Sequence, residues 1–374
     1  MRYKRINNVL AGDVLHDNLY GVDGRLLIAA NEPLSDTAIK RLGDLGYNGF
    51  YVDTEASNDI NVADIITERL RNNTIKGINN LKSDFSNKNV SSTIENASQI
   101  VSEILTLKNI SIDYIDIRNV ENAMSQHSIF VTEASVVIGI SLGLTPNQLT
   151  ELAIAALLHD IGKLFVDPKV MKKIEEPDSK TTEEYSDIKH PSYGFRLFSK
   201  DKDLGVNAII NKAILSHHIN ENGTGTTGTP KYDALIKGTP LYAKIIHAVD
   251  EYDIIKHDNI NGGPLEAVEY LTANCGTLFD PLVVNAFRKV VAVYPTGTEI
   301  TISNKLKDKD GNFEPGAIVV NGVVCGQNPG FPNRPIIKIN GSGKADLNAM
   351  FFQKFAVVGT ELDDSNEKEK GRSR

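Results

Sequence analysis

Cysteine is scarce in this sequence: Cys275 and Cys325 are the two present. Two thiols give no disulfide framework, and they match a reducing compartment. Long apolar runs are missing as well. The longest, around Ala134 to Leu144, contains Ser and Gly, and it is too short to span a bilayer. The amino-terminal stretch from Met1 to Asn18 is basic but lacks the apolar segment of a signal peptide. These absences point to the cytoplasm and away from membranes. There is no basic excess either. Lys and Arg total 40 against 48 Asp and Glu, a formal net charge of -8. Duplex DNA and anionic membranes need a basic surface, so both are excluded as the main partner. A local basic pocket for a small phosphate ligand is still compatible with that balance.

Hydrophobic residues make up 41% and charged residues 24% of the 374 positions, the profile of an ordinary folded protein. The length predicts two or three domains. Residues 1–54 read as a small α+β module. In it, a turn at Gly21–Gly24 separates short strands at Val14–Tyr20 and Leu26–Ala30, and a helix at Ser35–Leu45 is capped by Gly46. Gly49–Val52 closes the module as a strand. Residues 55–111 are polar, but Ile65, Ile66, Leu70, Ile94, Ile100 and Ile104 recur at helical spacing, predicting connecting helices. These helices offer either plain packing surfaces or a homodimer contact. Residues 112–296 are helical throughout and hold every candidate site residue. Residues 297–361 carry short runs, Glu299–Ser303, Ala317–Val324 and Pro335–Ile339, between Gly, Asn and Pro, which predicts a small β appendage. The tail, 362–374, is charged and reads as disordered.

Histidines and carboxylates recur at the inner ends of the predicted helices. His127 lies on the stripe Ile117, Val120, Met124, His127, Val131, Ala134, Ile138, the buried face of an amphipathic helix. Taken alone, a core histidine bonded to a backbone carbonyl is the plainer reading. Thr145-Pro146-Asn147-Gln148 is a capping-box start, and the apolar face that follows ends in His159-Asp160-Ile161-Gly162-Lys163. A buried carboxylate is costly unless it is paired or bound to a metal. His190 follows a second capping box at Thr181–Glu184; by itself it could equally be an exposed helix-end histidine. His217 and His218 close the stripe Val206, Ile209, Ile210, Ala213, Ile214, pointing about a hundred degrees apart. They are followed by Gly223 and Gly225 in a loop able to approach a phosphate. Asp250 sits mid-helix beside Ile246 and Val249, unusual unless a cation neutralises it. Together these imidazoles and carboxylates suit Zn, Mn or Fe better than Mg or Ca. Two ions about 4 Å apart, with Asp160 between them, would activate water and stabilise charge on a phosphoryl oxygen. Lys163 could grip a phosphate, or simply sit favourably at a helix end.

In this order, His127, His159-Asp160-Ile161-Gly162-Lys163, His190-Pro191, His217-His218 and Asp250 resemble the HD-GYP branch of the HD phosphohydrolases, over roughly residues 118–295. The resemblance includes the closing stretch Gly276–Pro281. It implies a mainly α fold: a helical HD-type domain flanked here by the α+β module and the β appendage. It further implies a phosphodiesterase that opens cyclic di-GMP to pGpG, and in some members on to GMP, by attack of a metal-bridging hydroxide. Carried over by position, His127, His159, Asp160, His190, His217, His218 and Asp250 would be metal ligands and Asp160 the bridge. Lys163 would hold or protonate a phosphate oxygen, with Gly223 and Gly225 near the substrate. The cofactors would be divalent Fe or Mn.

The sequence also departs from that pattern. The family signature is His-His-Glu, two residues, Asp-Gly, one residue, Gly-Tyr-Pro. Here Ile219, Asn222, Thr226 and Thr227 occupy the Glu, Asp, Tyr and Pro positions. The Arg and Lys that hold the ligand's phosphates are missing from the stretch Lys256–Gly263. Ala123 replaces the acidic residue of three-metal members, so two ions are expected. These losses motivate two alternatives: a degenerate HD-GYP regulator that binds metal or cyclic dinucleotide without turnover, and an HD phosphohydrolase for another nucleotide.

Overall fold

The computed structural model describes residues 1–21, 25–54, 57, 59–60, 65–108, 110–115, 117–165, 189–200, 204–229, 238–257, 263–308, 311–328, 331–339 and 343–360. The expected turn at Gly21–Gly24 (except Gly21), the capping box at Thr181–Glu184, the disordered tail and most of Lys256–Gly263 lie outside them.

The amino-terminal module is a three-stranded antiparallel sheet in the order β1-β5-β2, made of β1 (Arg2–Arg5), β2 (Val14–Leu15) and β5 (Gly49–Asp53). A separate hairpin joins β3 (Leu19–Tyr20) to β4 (Leu26–Ile28). The single strand expected at Val14–Tyr20 is therefore two strands in two sheets. His16 directly follows the first, with its ring 2.8 Å from Asp53 on β5, and the chain then leaves the sheet. Helix α1 (Asp36–Asp44) is capped by the Ser35 hydroxyl, which accepts from the Ala38 N–H. It is terminated by Gly46 at φ 77°, a left-handed position glycine adopts without cost. Leu15, Leu42, Phe50 and Val52 fill a small core of this module's own.

The connecting segment forms α2 (Glu68–Ser83) and α3 (Asn87–Ile104), and the helical body follows as α4 (Ala123–Ser141), α5 (Pro146–Leu158), a 3-10 turn (Ile161–Phe165), α6 (His190–Lys200), α7 (Ala208–Ser216), α8 (Leu241–Lys256), α9 (Pro264–Ala273) and α10 (Pro281–Val290). Helix α4 is central: it packs against α2, α3, α5, α8 and α10 and is buried on nearly all sides, as its almost uniformly apolar second half requires. It starts later than its stripe suggested. Asn119 and Asn122 bond each other's backbone through their side chains, fixing a turn before Ala123 and leaving Val120 78% exposed. Helix α5 begins on the expected capping box of Thr145 and Gln148, with Pro146 in its first turn.

The carboxy-terminal sheet contains β6 (Glu299–Ser303), β7 (Val319–Gly326), β8 (Ile336–Ile339), β9 (Lys344–Asp346) and β10 (Ala356–Thr360). It is antiparallel, in the order β10-β6-β7-β8-β9. Ile300, Ile302, Val324 and Ile337 from it join the same apolar core as the helices. Asp113 ties the two together, accepting from the Thr296 N–H at 2.7 Å and from Gln327 Nε2 at 2.8 Å. The mainly α fold with small sheets at each end is as the sequence predicts. No helix among the described residues is long and apolar enough to cross a membrane.

Candidate metal centre

Four helix ends and one helix middle converge on one buried point. His127 comes from α4, His159 and Asp160 from the end of α5, His190 from the start of α6, His217 and His218 from the end of α7, and Asp250 from the middle of α8. All seven residues expected as ligands are brought together. His159, Asp160, His190, His217 and Asp250 are each no more than 2% exposed.

The cluster has two lobes. In the first, His127 Nε2 lies 3.3 Å from His159 Nε2, 3.1 Å from Asp250 Oδ1 and 3.6 Å from Asp160 Oδ2. In the second, His190 Nε2 lies 3.1 Å from His217 Nε2 and 3.0 Å from Asp160 Oδ1, and His218 completes a three-histidine group with them. Asp160 thus turns one oxygen to each lobe. Lys163 Nζ reaches its Oδ2 at 2.6 Å.

The outer face of each ring shows what the inner face is for. His159 Nδ1 donates to the Ala156 carbonyl and His217 Nδ1 to the Ile214 carbonyl, both at 2.7 Å. With the proton on Nδ1, each Nε2 presents a bare lone pair to the interior. Burial, reinforced at His217 by the neighbouring His218, depresses the pKa of both, so these rings are neutral. His218 is pushed down to about 3 by burial. Asp160 Oδ1 and Asp250 Oδ1 are buried and receive no aligned hydrogen bond, although ring nitrogens approach them. Converging nitrogen lone pairs and orphaned carboxylate oxygens repel one another unless a cation lies among them. The residues present therefore fit divalent metal, and nitrogen with carboxylate oxygen suits Zn, Mn or Fe.

His127 behaves differently. Its Nδ1 faces not a backbone carbonyl but the carboxylate of Asp253, at 2.7 Å. Burial disfavours its charge, yet Asp250 and Asp253 raise its pKa to about 9. Asp253 has no exposed side chain; Arg118 grips it with two bonds of 2.7 and 2.9 Å, and Lys256 stands 3.2 Å away. Burial would raise the Asp160 carboxyl, but the neighbouring Lys163 and His190 hold it well below the usual carboxylate range.

Two glycines are fixed by close approach. A Cβ on Gly162 would meet the His190 carbonyl at 2.0 Å, and one on Gly225 would meet the His218 carbonyl at 2.1 Å. Gly225, at φ 93°, thus lets the altered loop fold back on the paired histidines. Gly223 has open space around it. The loop is anchored by Glu221 and Asn222, whose N–H groups bond the Leu278 and Thr277 carbonyls. That gives the Gly276–Pro281 stretch its place beside the site. His190 is not an exposed helix end: it opens α6 and is buried.

Sequence reasoning missed Arg118, which lies in a loop with no periodic signal. It also missed His247 and Glu251, which form a further group with His218. Their one-turn spacing on α8 was the available clue.

The family model described as an HD domain matches residues 100–283. A cyclic di-GMP phosphodiesterase of Pseudomonas aeruginosa is 27% identical over 215 residues, 56% of this chain and 50% of that protein. The cyclic di-GMP phosphodiesterase response regulator RpfG of Xanthomonas campestris is 31% identical over 42% of each chain. A cyclic di-GMP phosphodiesterase of Thermotoga maritima is 29% identical, covering 57% of this chain and 54% of its own. The chain spans about half the length of the curated relatives it matches. On this match and the ordered His and Asp motifs, residues 100–283 of the chain form an HD domain.

Proposed function

We propose that this chain is an HD-GYP-type phosphodiesterase that hydrolyses cyclic di-GMP to linear pGpG, with GMP as the further product if the linear dinucleotide is also cleaved. The observation that carries the reading is the two-lobed cluster with Asp160 facing both lobes. His127, His159, Asp160 and Asp250 would hold one divalent ion, and His190, His217, His218 and Asp160 a second. Fe or Mn fits this donor set. When bound, such a pair supplies a water of lowered pKa and neutralises charge on the phosphoryl oxygens.

The chain's own residues supply the rest. The backbone carbonyls behind His159 and His217 fix their tautomers, so no reorganisation precedes binding. Asp253 holds the His127 ring in place, and Arg118 holds Asp253. Lys163, 2.6 Å from Asp160 and 22% exposed at its side chain, is placed to exchange that carboxylate for a phosphate oxygen of the substrate. The wall of apolar helices behind the histidines excludes water and strengthens each charge interaction. Residues 112–296 are taken as the catalytic unit, acting in the cytoplasm, where free thiols such as exposed Cys275 stay reduced.

The test is anaerobic purification with metal analysis, followed by incubation with cyclic di-GMP and separation of products. Turnover that vanishes in Asp160→Ala is the expected result. A metal-loaded chain that binds cyclic di-GMP but leaves it intact would establish instead the non-catalytic regulator that the altered loop motivates. Cleavage of another nucleotide, with cyclic dinucleotides inert, would move the substrate.

A further inference from the structure

Beside the two-lobed cluster, a second set of donors on α8 faces the altered loop. One ring nitrogen of His218, one of His247 and a carboxylate oxygen of Glu251 lie within 4.8 Å of one another. His247 is 5% exposed, and its Nδ1 is buried with no hydrogen-bond partner.

A chain of bonds fixes the state of that ring. The Thr224 hydroxyl donates to Asn222 Oδ1 at 2.6 Å, so its oxygen is left to accept, and Asn220 Nδ2 donates to it at 2.9 Å. Asn220 therefore turns its carbonyl oxygen toward His247, 3.0 Å from Nε2. That oxygen only accepts, so Nε2 carries the proton and Nδ1 is a bare lone pair. Leaving such an acceptor buried and unbonded is costly. No described residue donates a hydrogen bond or an ion pair to the partly buried Glu251 carboxylate. Each of these groups lacks a donor, and a cation would serve both.

We infer that His247 and Glu251 form an outer binding site for a further divalent transition-metal ion, completed by His218, whose ring releases its second proton to solvent when it bridges to the neighbouring cluster. Two imidazoles and one carboxylate with open positions suit Zn, Mn or Fe(II) and disfavour Mg and Ca. The inference rests on the proposed centre only through His218; the other two ligands stand apart from it. It also gives the loop a role. Asn220, Asn222 and Thr224, in the stretch that departs from the family signature, orient His247 as an outer partner orients a metal-binding histidine.

The test uses the full chain, stripped with chelator, reconstituted with Zn²⁺ and desalted, with bound metal measured per chain. Glu251→Gln, nearly isosteric, and His247→Ala should each hold about one equivalent less than wild type. Thermal unfolding of the stripped proteins checks that both variants fold. Asp160→Ala should keep the equivalent that Glu251→Gln removes, whether or not the proposed catalytic centre exists. Equal zinc in wild type and both variants overturns the outer site. If Asp160→Ala alone loses ions, the inner centre stands and the outer one falls.

Discussion

Replacing Arg118 tests whether the support behind His127 is real. The guanidinium makes bonds of 2.7 and 2.9 Å to Asp253, whose side chain is fully buried. Removing one partner of a buried ion pair strands the other charge, at a cost of roughly 3–5 kcal/mol. Lys256 stays 3.2 Å from Asp253 and the charged His127 ring 2.7 Å away; both compensate in part, so the lower end, about 3 kcal/mol, is expected for Arg118→Ala. The double variant Arg118→Ala, Asp253→Asn should recover on the order of 2 kcal/mol, since it no longer buries a carboxylate stripped of its two-bond partner. The assay is urea unfolding of the metal-free chains at neutral pH, followed by helical circular dichroism. Burial opposes ionisation of Asp253, but Arg118 and Lys256 hold its carboxyl well below the usual carboxylate range. Its stabilising contribution is therefore present above the ordinary carboxylate pKa and lost as pH falls through the folded value. The gap between wild type and Arg118→Ala should accordingly close in strong acid. A loss below about 1 kcal/mol, typical of exposed pairs, would refute the reasoning.

Gly162→Ala forces a methyl group against the His190 carbonyl, 2.0 Å from the ideal Cβ position. It should destabilise the chain by about 3 kcal/mol or more and weaken Zn²⁺ uptake at the His190 lobe; unchanged uptake, by the same metal assay, would contradict the packing. Metal binding should release protons, because His127, raised to about 9, is charged at pH 7 without metal and must become neutral to ligate. Calorimetry in buffers of different ionisation enthalpy should show about one more proton released per chain in wild type than in His127→Ala. Burial pushes Asp113 up to about 6 from 3.8. A raised carboxyl adds stability below its unfolded pKa and loses it as pH rises through 6. Wild type should therefore lose roughly 2 kcal/mol relative to Asp113→Asn between pH 4 and 7, read from unfolding midpoints; parallel pH curves would sink the assignment.

Much of the site was legible because ligands sit where helices end against apolar faces. Thr145, Pro146 and Gln148 announced α5, and the run from His159 to Lys163 behind it left few structural explanations. The seven positions then followed by order. The start of α4 was not legible: periodicity carried the stripe back to Ile117, whereas side-chain bonds between Asn119 and Asn122 hold that stretch as a turn. A local hydrogen-bonding alternative of this kind competes with the helix and leaves no mark on the apolar pattern. The division of Val14–Tyr20 between two sheets depends on which strands each half meets, which is a tertiary choice. Arg118 lies 135 positions from Asp253, and nothing local links a loop arginine to a distant carboxylate. His247 and Glu251 were hidden by their neighbour, since Asp250 already accounted for a polar break in α8.

The most direct measurement is X-ray diffraction from crystals of the anaerobically loaded chain, recorded at the absorption edge of the metal it binds. The account predicts two anomalous peaks on either side of the Asp160 carboxylate, about 4 Å apart. One would be ringed by His127, His159 and Asp250, and the other by His190, His217 and His218. A single peak beside Asp160, or none there, would contradict a two-metal centre in this chain.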